Sequence, residues 1–168
     1  MRIQYEEKTF ESYFNSELSL GGNFFFPPGQ VQEGSVGFDA LVMSKSWRLW
    51  RKLGHPFWLK LPKEGAPYRE IAREMENFLG HEIKNVPSIR GNILFQYKRS
   101  EYMVGANADE WAHWNCPYYR YDIYADQQIL LEQLHSVFSD TVLILYASPA
   151  VQDVGELVSL HAARQLIS

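Results

Sequence analysis

The chain has 168 residues and a formal net charge of −4, and 46% of its residues are hydrophobic. This size suits one domain with a substantial core, and the apolar content excludes a disordered chain. No apolar run is long enough to span a bilayer, and the single cysteine, Cys116, excludes an internal disulfide. We therefore expect a single domain over residues 1–168 of a cytoplasmic protein that does not enter a membrane.

The first half of the chain predicts a helix followed by two strands. Amphipathic spacing favours a helix over residues 6–20, which Gly21 would end. Residues 23–32 are expected to be extended. A turn at Glu33 would then lead into a strand over residues 35–43, whose nearly continuous apolar pattern indicates burial on both faces.

Strands and helices alternate in the rest of the chain. The stretch 46–62 contains a short helical pattern, and an apolar stripe predicts a helix over residues 67–79. The third strand is expected over residues 92–98. The remaining predicted elements are a loop with a short helix over 101–114, a strand over 118–124, a helix over 126–138, a fully buried strand over 141–146 and a helix over 154–167. This order predicts an α/β fold in which helices flank a central mixed sheet.

Two of the apolar strands carry polar side chains. Asp39 interrupts one strand, and Gln96 and Lys98 interrupt another. Positions i and i+2 of a strand share a face, so Gln96 and Lys98 should project together, opposite to Phe95 and Tyr97. A charged residue inside a buried strand needs a partner or an ion, which indicates a functional site.

This arrangement resembles the PD-(D/E)xK nuclease superfamily, which has the restriction-endonuclease-like fold. The resemblance rests on an acidic amphipathic helix, then G-F-D ending at Asp39, then Q-Y-K from Gln96 to Lys98, then a helix and another strand. It covers the chain from Glu6 to about Ala147. Gln96 stands where the family usually has a carboxylate, and this glutamine substitution is found in Mrr-like branches. Residues 45–90, between the two motif strands, are interpreted as an insertion.

The resemblance implies a nuclease that hydrolyses phosphodiester bonds of DNA with Mg²⁺ or Mn²⁺. Asp39 would be the central metal ligand, and Lys98 would position the attacking water and stabilise the phosphate. The implied catalytic residues are Asp39, Gln96, Lys98 and Glu11. The implied metal ligands are Asp39, Gln96, the backbone carbonyl of Tyr97 and one acid from Glu11, Glu17 or Glu33.

The segment from Lys45 to Lys63 is basic and aromatic, with six cationic residues and no acidic one. Such a local cluster can bind a polyanion on an acidic protein, because screening limits the reach of distant charge to about 8–10 Å. The expected DNA contacts are Lys45, Arg48, Arg51, Lys52, Lys60, Lys63 and, next to the site, Arg99. A surface helix with its aromatic residues in the core is the alternative interpretation.

Other interpretations of the whole chain stay open at this point. One is a catalytically inactive member of the same fold that binds nucleic acid or a protein partner. Another is an unrelated α/β protein with an accidental motif, in which Lys98 and Arg99 form an ordinary strand end and Glu11 lies on a solvated helix face. A homodimer, an additional domain or partner protein, and a longer parent chain are further expectations to be tested.

Overall fold

The computed structural model describes residues 5–28 and 37–167, and its centre is a four-stranded mixed sheet. The strands are β1 (Phe24–Phe26), β2 (Ala40–Met43), β5 (Ile93–Tyr97) and β8 (Leu143–Ala147), in that spatial order. β1, β2 and β5 are antiparallel neighbours, whereas β8 runs parallel to β5. The predicted α/β class, with helices flanking a mixed sheet, is confirmed.

The remaining elements are six helices and two short two-stranded ladders among the described residues. The helices are α1 (Glu7–Leu20), α2 (Trp47–Lys52), α3 (Tyr68–Leu79), α4 (Trp111–Trp114), α5 (Ala125–Phe138) and α6 (Val154–Ala162). In one ladder β3 (Ala66–Pro67) pairs with β4 (Arg90–Gly91), and in the other β6 (Glu101–Met103) pairs with β7 (Tyr118–Arg120).

Alternation along the strands divides the core between the two faces of the sheet. Phe95 and Tyr97 of β5 pack on one face against α1 and α6, for example against Phe14 of α1. Leu94 lies on the other face with side chains of α3 and α5. Gln96 and Lys98 follow the parity of Leu94, so they project on the α5 face of the sheet, as the period of two predicts.

The predicted insertion between β2 and β5 is packed onto the sheet. Its helix α3 buries Ile71, Ala72 and Met75 in the core on the α5 face of the sheet, where they lie with Leu41 and Leu94. The stripe at helical spacing explains this placement, because it gives α3 one continuous apolar face. Residues 45–90 therefore supply one of the two helices that cover this face.

Several predicted elements differ in extent or burial. The strand over 118–124 is only β7, and it pairs with β6 outside the central sheet. β8 is half-buried rather than fully buried, because it is an edge strand. The last helix ends at Ala162. The strand predicted from residue 35 begins at Ala40 within the described chain, and the turn at Glu33 lies outside the described residues.

The helices that the structure describes are all too short or too polar to cross a membrane.

Candidate active site

The polar strand residues meet at the edge of the sheet where β5 ends. Asp39 immediately precedes β2, and its backbone N–H donates to the carbonyl of Phe95 at 2.8 Å. Because β2 and β5 are antiparallel, with Ala40 opposite Phe95, the start of β2 lies beside the end of β5. The pairing register therefore brings Asp39, Gln96 and Tyr97 together although 57 residues separate Asp39 from Gln96.

The Asp39 carboxylate is bound directly to β5. Its Oδ2 accepts hydrogen bonds from the Gln96 side-chain Nε2 and from the Tyr97 backbone N–H, each at 2.6 Å. The same Nε2 donates to the Tyr97 carbonyl at 3.1 Å. Gln96 Oε1 is buried and has no hydrogen-bond donor among the described residues. Two oxygens, Asp39 Oδ2 and Tyr97 O, thus converge on one amide nitrogen.

Gly37 sets the path of the chain into this site. It has a φ of +64°, a conformation that L side chains rarely adopt. A Cβ at this position would also lie 2.6 Å from Leu130 Cδ2 of α5. The positive φ therefore favours glycine where the chain passes α5 and enters β2 with Asp39 at the end of the strand.

Lys98 is buried at the end of β5 instead of extending into solvent, with only 6% of its surface exposed. Its Nζ donates to Gln127 Oε1 of α5 at 2.5 Å and lies 4.8 Å from the ring centroid of Tyr124, which is a cation–π contact. Burial lowers the pKa of Lys98, and the negative charges of Glu7 and Asp39 oppose this shift. The ammonium group of Lys98 is thus fixed close to the carboxylates of Glu7 and Asp39.

Helix α1 contributes two acids to this cluster, Glu11 and Glu7. Glu11 is 8% exposed, which excludes the solvated-face interpretation, and its Oε2 accepts a hydrogen bond from Lys8 Nζ at 3.0 Å. Glu7, which the sequence reasoning missed, accepts from the backbone N–H of Arg99 at 2.8 Å. The available signal was its position four residues before Glu11, which places both acids on one helix face.

Burial and the charges of the cluster both shift the pKa of Asp39. Burial raises the pKa of Asp39 to about 6, and the hydrogen bond from the Tyr97 N–H lowers it. The negative charges of Glu11 and Glu7 raise this pKa further. An ionised Asp39 therefore carries a cost that a cation beside it would offset.

Of the other two candidate acids, the structure describes only Glu17, and it lies away from this cluster. Glu17 accepts hydrogen bonds from the backbone N–H groups of Leu166 and Ile167, at 3.1 and 3.3 Å. It lies ten residues after Glu7 in α1, which corresponds to about 15 Å along the helix axis. Glu17 therefore binds the C-terminal segment, while Glu33 lies outside the described residues.

A pocket of about 760 Å³ opens at the end of β5, beside Gln96 and Lys98. Gln96 and Lys98 lie in its wall, together with Gln127 and Tyr124 of the α5 region and Glu7 of α1. Arg99 also lines the pocket and forms an ion pair with Glu6 at 3.4 Å. This pocket gives a ligand access to the ammonium group of Lys98.

The basic segment from Lys45 to Lys63 is held at the opposite end of β5. The side chain of Asn92, just before β5, bonds the backbone N–H and carbonyl of Ser44 and the carbonyl of Pro62. Gln96 follows Asn92 by four residues, or about 13 Å of extended chain. Of the predicted nucleic-acid contacts, the structure brings Arg99 to the pocket and places the segment holding the other six at the far end of the sheet.

Residues 5–28 and 37–167 contain no group of three or more His, Cys, Asp or Glu side chains arranged to hold a metal ion. A metal at this site would therefore also use the amide of Gln96 or the carbonyl of Tyr97.

Neither a family model, nor a curated protein, nor a solved structure matches this chain.

Proposed function

We propose that this protein is a metal-dependent nuclease of the PD-(D/E)xK type that hydrolyses phosphodiester bonds of DNA. The observation that carries the proposal is the convergence of Asp39, Gln96 and Lys98 at one edge of the sheet, with Glu7 and Glu11 beside them. Had these side chains pointed away from one another, the motif would have been accidental.

The order of the elements supports the same proposal. An acidic helix, α1, precedes the antiparallel pair β1 and β2, and Asp39 stands at the start of β2. The Q-Y-K sequence closes β5, and α5 then leads to the parallel strand β8. This is the sequence of elements on which the resemblance rests, with the segment 45–90 inserted between the motif strands.

The donor atoms at the site fit a hard divalent cation. Asp39 Oδ2 and Tyr97 O both lie within hydrogen-bond distance of Gln96 Nε2, and Gln96 Oε1 is a further buried oxygen. Mg²⁺ and Mn²⁺ prefer such oxygen ligands. Asp39, the Tyr97 carbonyl, the Gln96 amide after rotation and Glu11 would hold the ion, which supplies Lewis-acid polarisation of the phosphate and a more acidic bound water.

The chain's own residues account for binding and charge stabilisation. Lys98 presents a fixed ammonium to the pocket, and Gln127 orients it through the 2.5 Å hydrogen bond. In phosphodiester hydrolysis negative charge accumulates on the phosphoryl oxygens and the leaving oxygen, and a prepositioned cation stabilises it without reorganisation. The aromatic ring of Tyr124 and the side chain of Gln127 partly shield Lys98 from water, which strengthens this interaction.

The alternative is a catalytically inactive domain of the same fold that binds nucleic acid or a protein partner. One observation favours it: the Gln96 amide already satisfies Asp39 Oδ2 and Tyr97 O without any cation. In such a domain the amide would replace the metal ion as a structural bridge.

A cleavage assay on plasmid and linear DNA with Mg²⁺ or Mn²⁺ tests the proposal. We expect the wild type to nick or degrade DNA, and Asp39→Ala and Lys98→Ala each to lower the rate by about 10²–10³ or more. Asp140→Ala, an exposed acid outside the site, is the matched control and should cleave normally. Equal activity in wild type, Asp39→Ala and Lys98→Ala would refute the site. DNA binding with steep salt dependence but no cleavage would favour the inactive domain.

A further inference from the structure

The segment from Lys45 to Lys63, here called the basic strip, is a fixed part of the fold. Trp50 of α2 is fully buried, and its indole N–H donates to the Ser44 carbonyl at 3.1 Å. Near the other end Leu61 is buried in the core on the α1 and α6 face of the sheet. Asn92 binds both Ser44 and Pro62, so the two ends of the strip are held together.

The middle of the strip exposes three consecutive large apolar side chains. Phe57, Trp58 and Leu59 are 76%, 70% and 50% exposed, respectively. A backbone hydrogen bond of 3.1 Å from the Leu59 N–H to the Pro56 carbonyl holds this turn. The rings of Phe57 and Trp58 contact each other edge to face, with centroids 4.9 Å apart. Such an exposed aromatic pair on a held turn indicates a binding surface.

Cationic residues flank these rings along the sequence of the strip. Arg48, Arg51, Lys60 and Lys63 are exposed, and none of them forms an ion pair with any residue that the structure describes. His55 connects the turn to α2. Its ring packs against Trp50, and its centroid lies 6.3 Å from that of Trp47. The surface therefore combines accessible aromatic faces with uncompensated positive charge.

We infer that the basic strip binds single-stranded nucleic acid, with bases stacked on Trp58 and Phe57 and phosphates paired with the neighbouring cations. Stacking on aromatic side chains needs bases whose faces are open, as they are in a single strand and not in a duplex. The cations match the charge of the phosphate backbone. The strip lies at the end of β5 remote from Asp39 and Lys98, so this binding does not depend on the proposed hydrolysis.

Competing occupants of the surface have different requirements. An anionic membrane would accept the same cations but would need only apolar side chains of sufficient size, not flat rings. An acidic protein segment would also use the cations, yet it offers few faces that stack. Replacing the aromatic rings by leucine should therefore weaken the binding of single-stranded nucleic acid more than the binding of a membrane or an acidic protein segment.

The test measures binding of a fluorescent oligodeoxythymidine of about 16 nucleotides by anisotropy, in an Asp39→Ala background with EDTA so that cleavage cannot occur. Replacing both rings, as Phe57→Leu with Trp58→Leu, should weaken binding about 5- to 150-fold per stacked base. Trp58→Phe keeps an aromatic face and should bind within about threefold of the parent. A hybridised duplex of the same length should bind more weakly than the single strand.

Two controls complete the design. Ile129→Ala, an exposed apolar residue of α5, should leave oligonucleotide binding unchanged. The second control is the Phe57→Leu, Trp58→Leu variant with Asp39 intact. If the proposed hydrolysis holds, this variant should hydrolyse bis(4-nitrophenyl) phosphate, a diester too small to span the two sites, at the wild-type rate. The inference is wrong if the leucine variant binds the oligonucleotide as well as the parent, or if only phosphatidylserine vesicles bind the strip.

Discussion

Gln96 joins the start of β2 to the end of β5 through its side-chain amide. Its amide nitrogen donates to both Asp39 Oδ2 and Tyr97 O, two acceptors that would otherwise face each other across the end of β5. A carboxylate at this position would add negative charge next to Asp39, Glu7 and Glu11 and would need a cation to offset it. The glutamine therefore holds Asp39 by a hydrogen bond without adding charge, and under the proposed function it lowers the expected metal affinity.

The raised pKa of Asp39 predicts a specific dependence of stability on pH. Its folded-state pKa of about 6 lies above the ordinary aspartate value of 3.8, so the folded protein holds this proton more tightly than the unfolded chain does. The stabilisation is complete below the unfolded value and is lost as pH rises through about 6. The wild type should therefore lose stability relative to Asp39→Asn over this interval.

The predicted relative loss is at most about 3 kcal/mol, and solvent around the half-buried carboxylate reduces it. Urea denaturation of both proteins at about pH 4 and about pH 7 measures it. If the difference in free energy of unfolding between the two proteins is the same at both pH values, the environment assigned to Asp39 is wrong.

At the scale of elements, two acids of α1 have different roles. Glu11 faces the site, whereas Glu17 binds the backbone of residues 166 and 167. We predict that Glu11→Gln lowers the pKa of Asp39 and reduces cleavage. Glu17→Gln should leave cleavage unchanged and lower the free energy of unfolding by about 1 kcal/mol. Parallel cleavage rates and denaturation curves for the two variants measure both effects, and equal losses of activity would contradict the division.

Asn92 joins the inserted segment to the central sheet. Its side chain makes three hydrogen bonds, at 2.9, 2.7 and 3.0 Å, to Ser44 and Pro62. Asn92→Ala leaves the buried Ser44 N–H without this partner, whereas the Ser44 carbonyl keeps the Trp50 indole N–H and the Pro62 carbonyl keeps the Gly65 N–H. We therefore expect the free energy of unfolding to fall by about 1–3 kcal/mol. Chemical denaturation measures the loss, and a change below about 0.5 kcal/mol would show that the anchor is not needed.

For the whole molecule, periodicity predicted the central strands and the main helices because burial is the dominant constraint on them. The alternation in β5 correctly placed Gln96 and Lys98 on the face opposite to Phe95 and Tyr97. The same signal misjudged β8, since an apolar run does not reveal whether a strand is central or at an edge. The pairing of β7 with β6 depends on tertiary contacts, so local pattern could not predict it.

The candidate site was predictable only where a strand carried a polar residue against its pattern. Asp39, Gln96 and Lys98 stand out in this way, and the structure brings them together. Glu7 and Gln127 lie on helices among other polar residues. The spacing of Glu7 from Glu11 was its only signal, and nothing in the sequence separates Gln127 from a solvated helix face. The basic strip was evident as a charge cluster, but its position at the other end of β5 follows from the sheet register.

The site is assembled from α1, the start of β2, the end of β5 and α5, so the intact folded protein must be used to test it. The most direct test is a calorimetric titration with Mn²⁺ at about pH 7, where Asp39 is ionised. Unlike a cleavage assay, this titration does not depend on choosing the right DNA substrate. We predict that the wild type binds Mn²⁺, that Asp39→Asn loses this binding, and that Gln96→Glu binds about tenfold more tightly. A folded wild type whose Mn²⁺ binding is absent, or is unaffected by Asp39→Asn, would contradict the account.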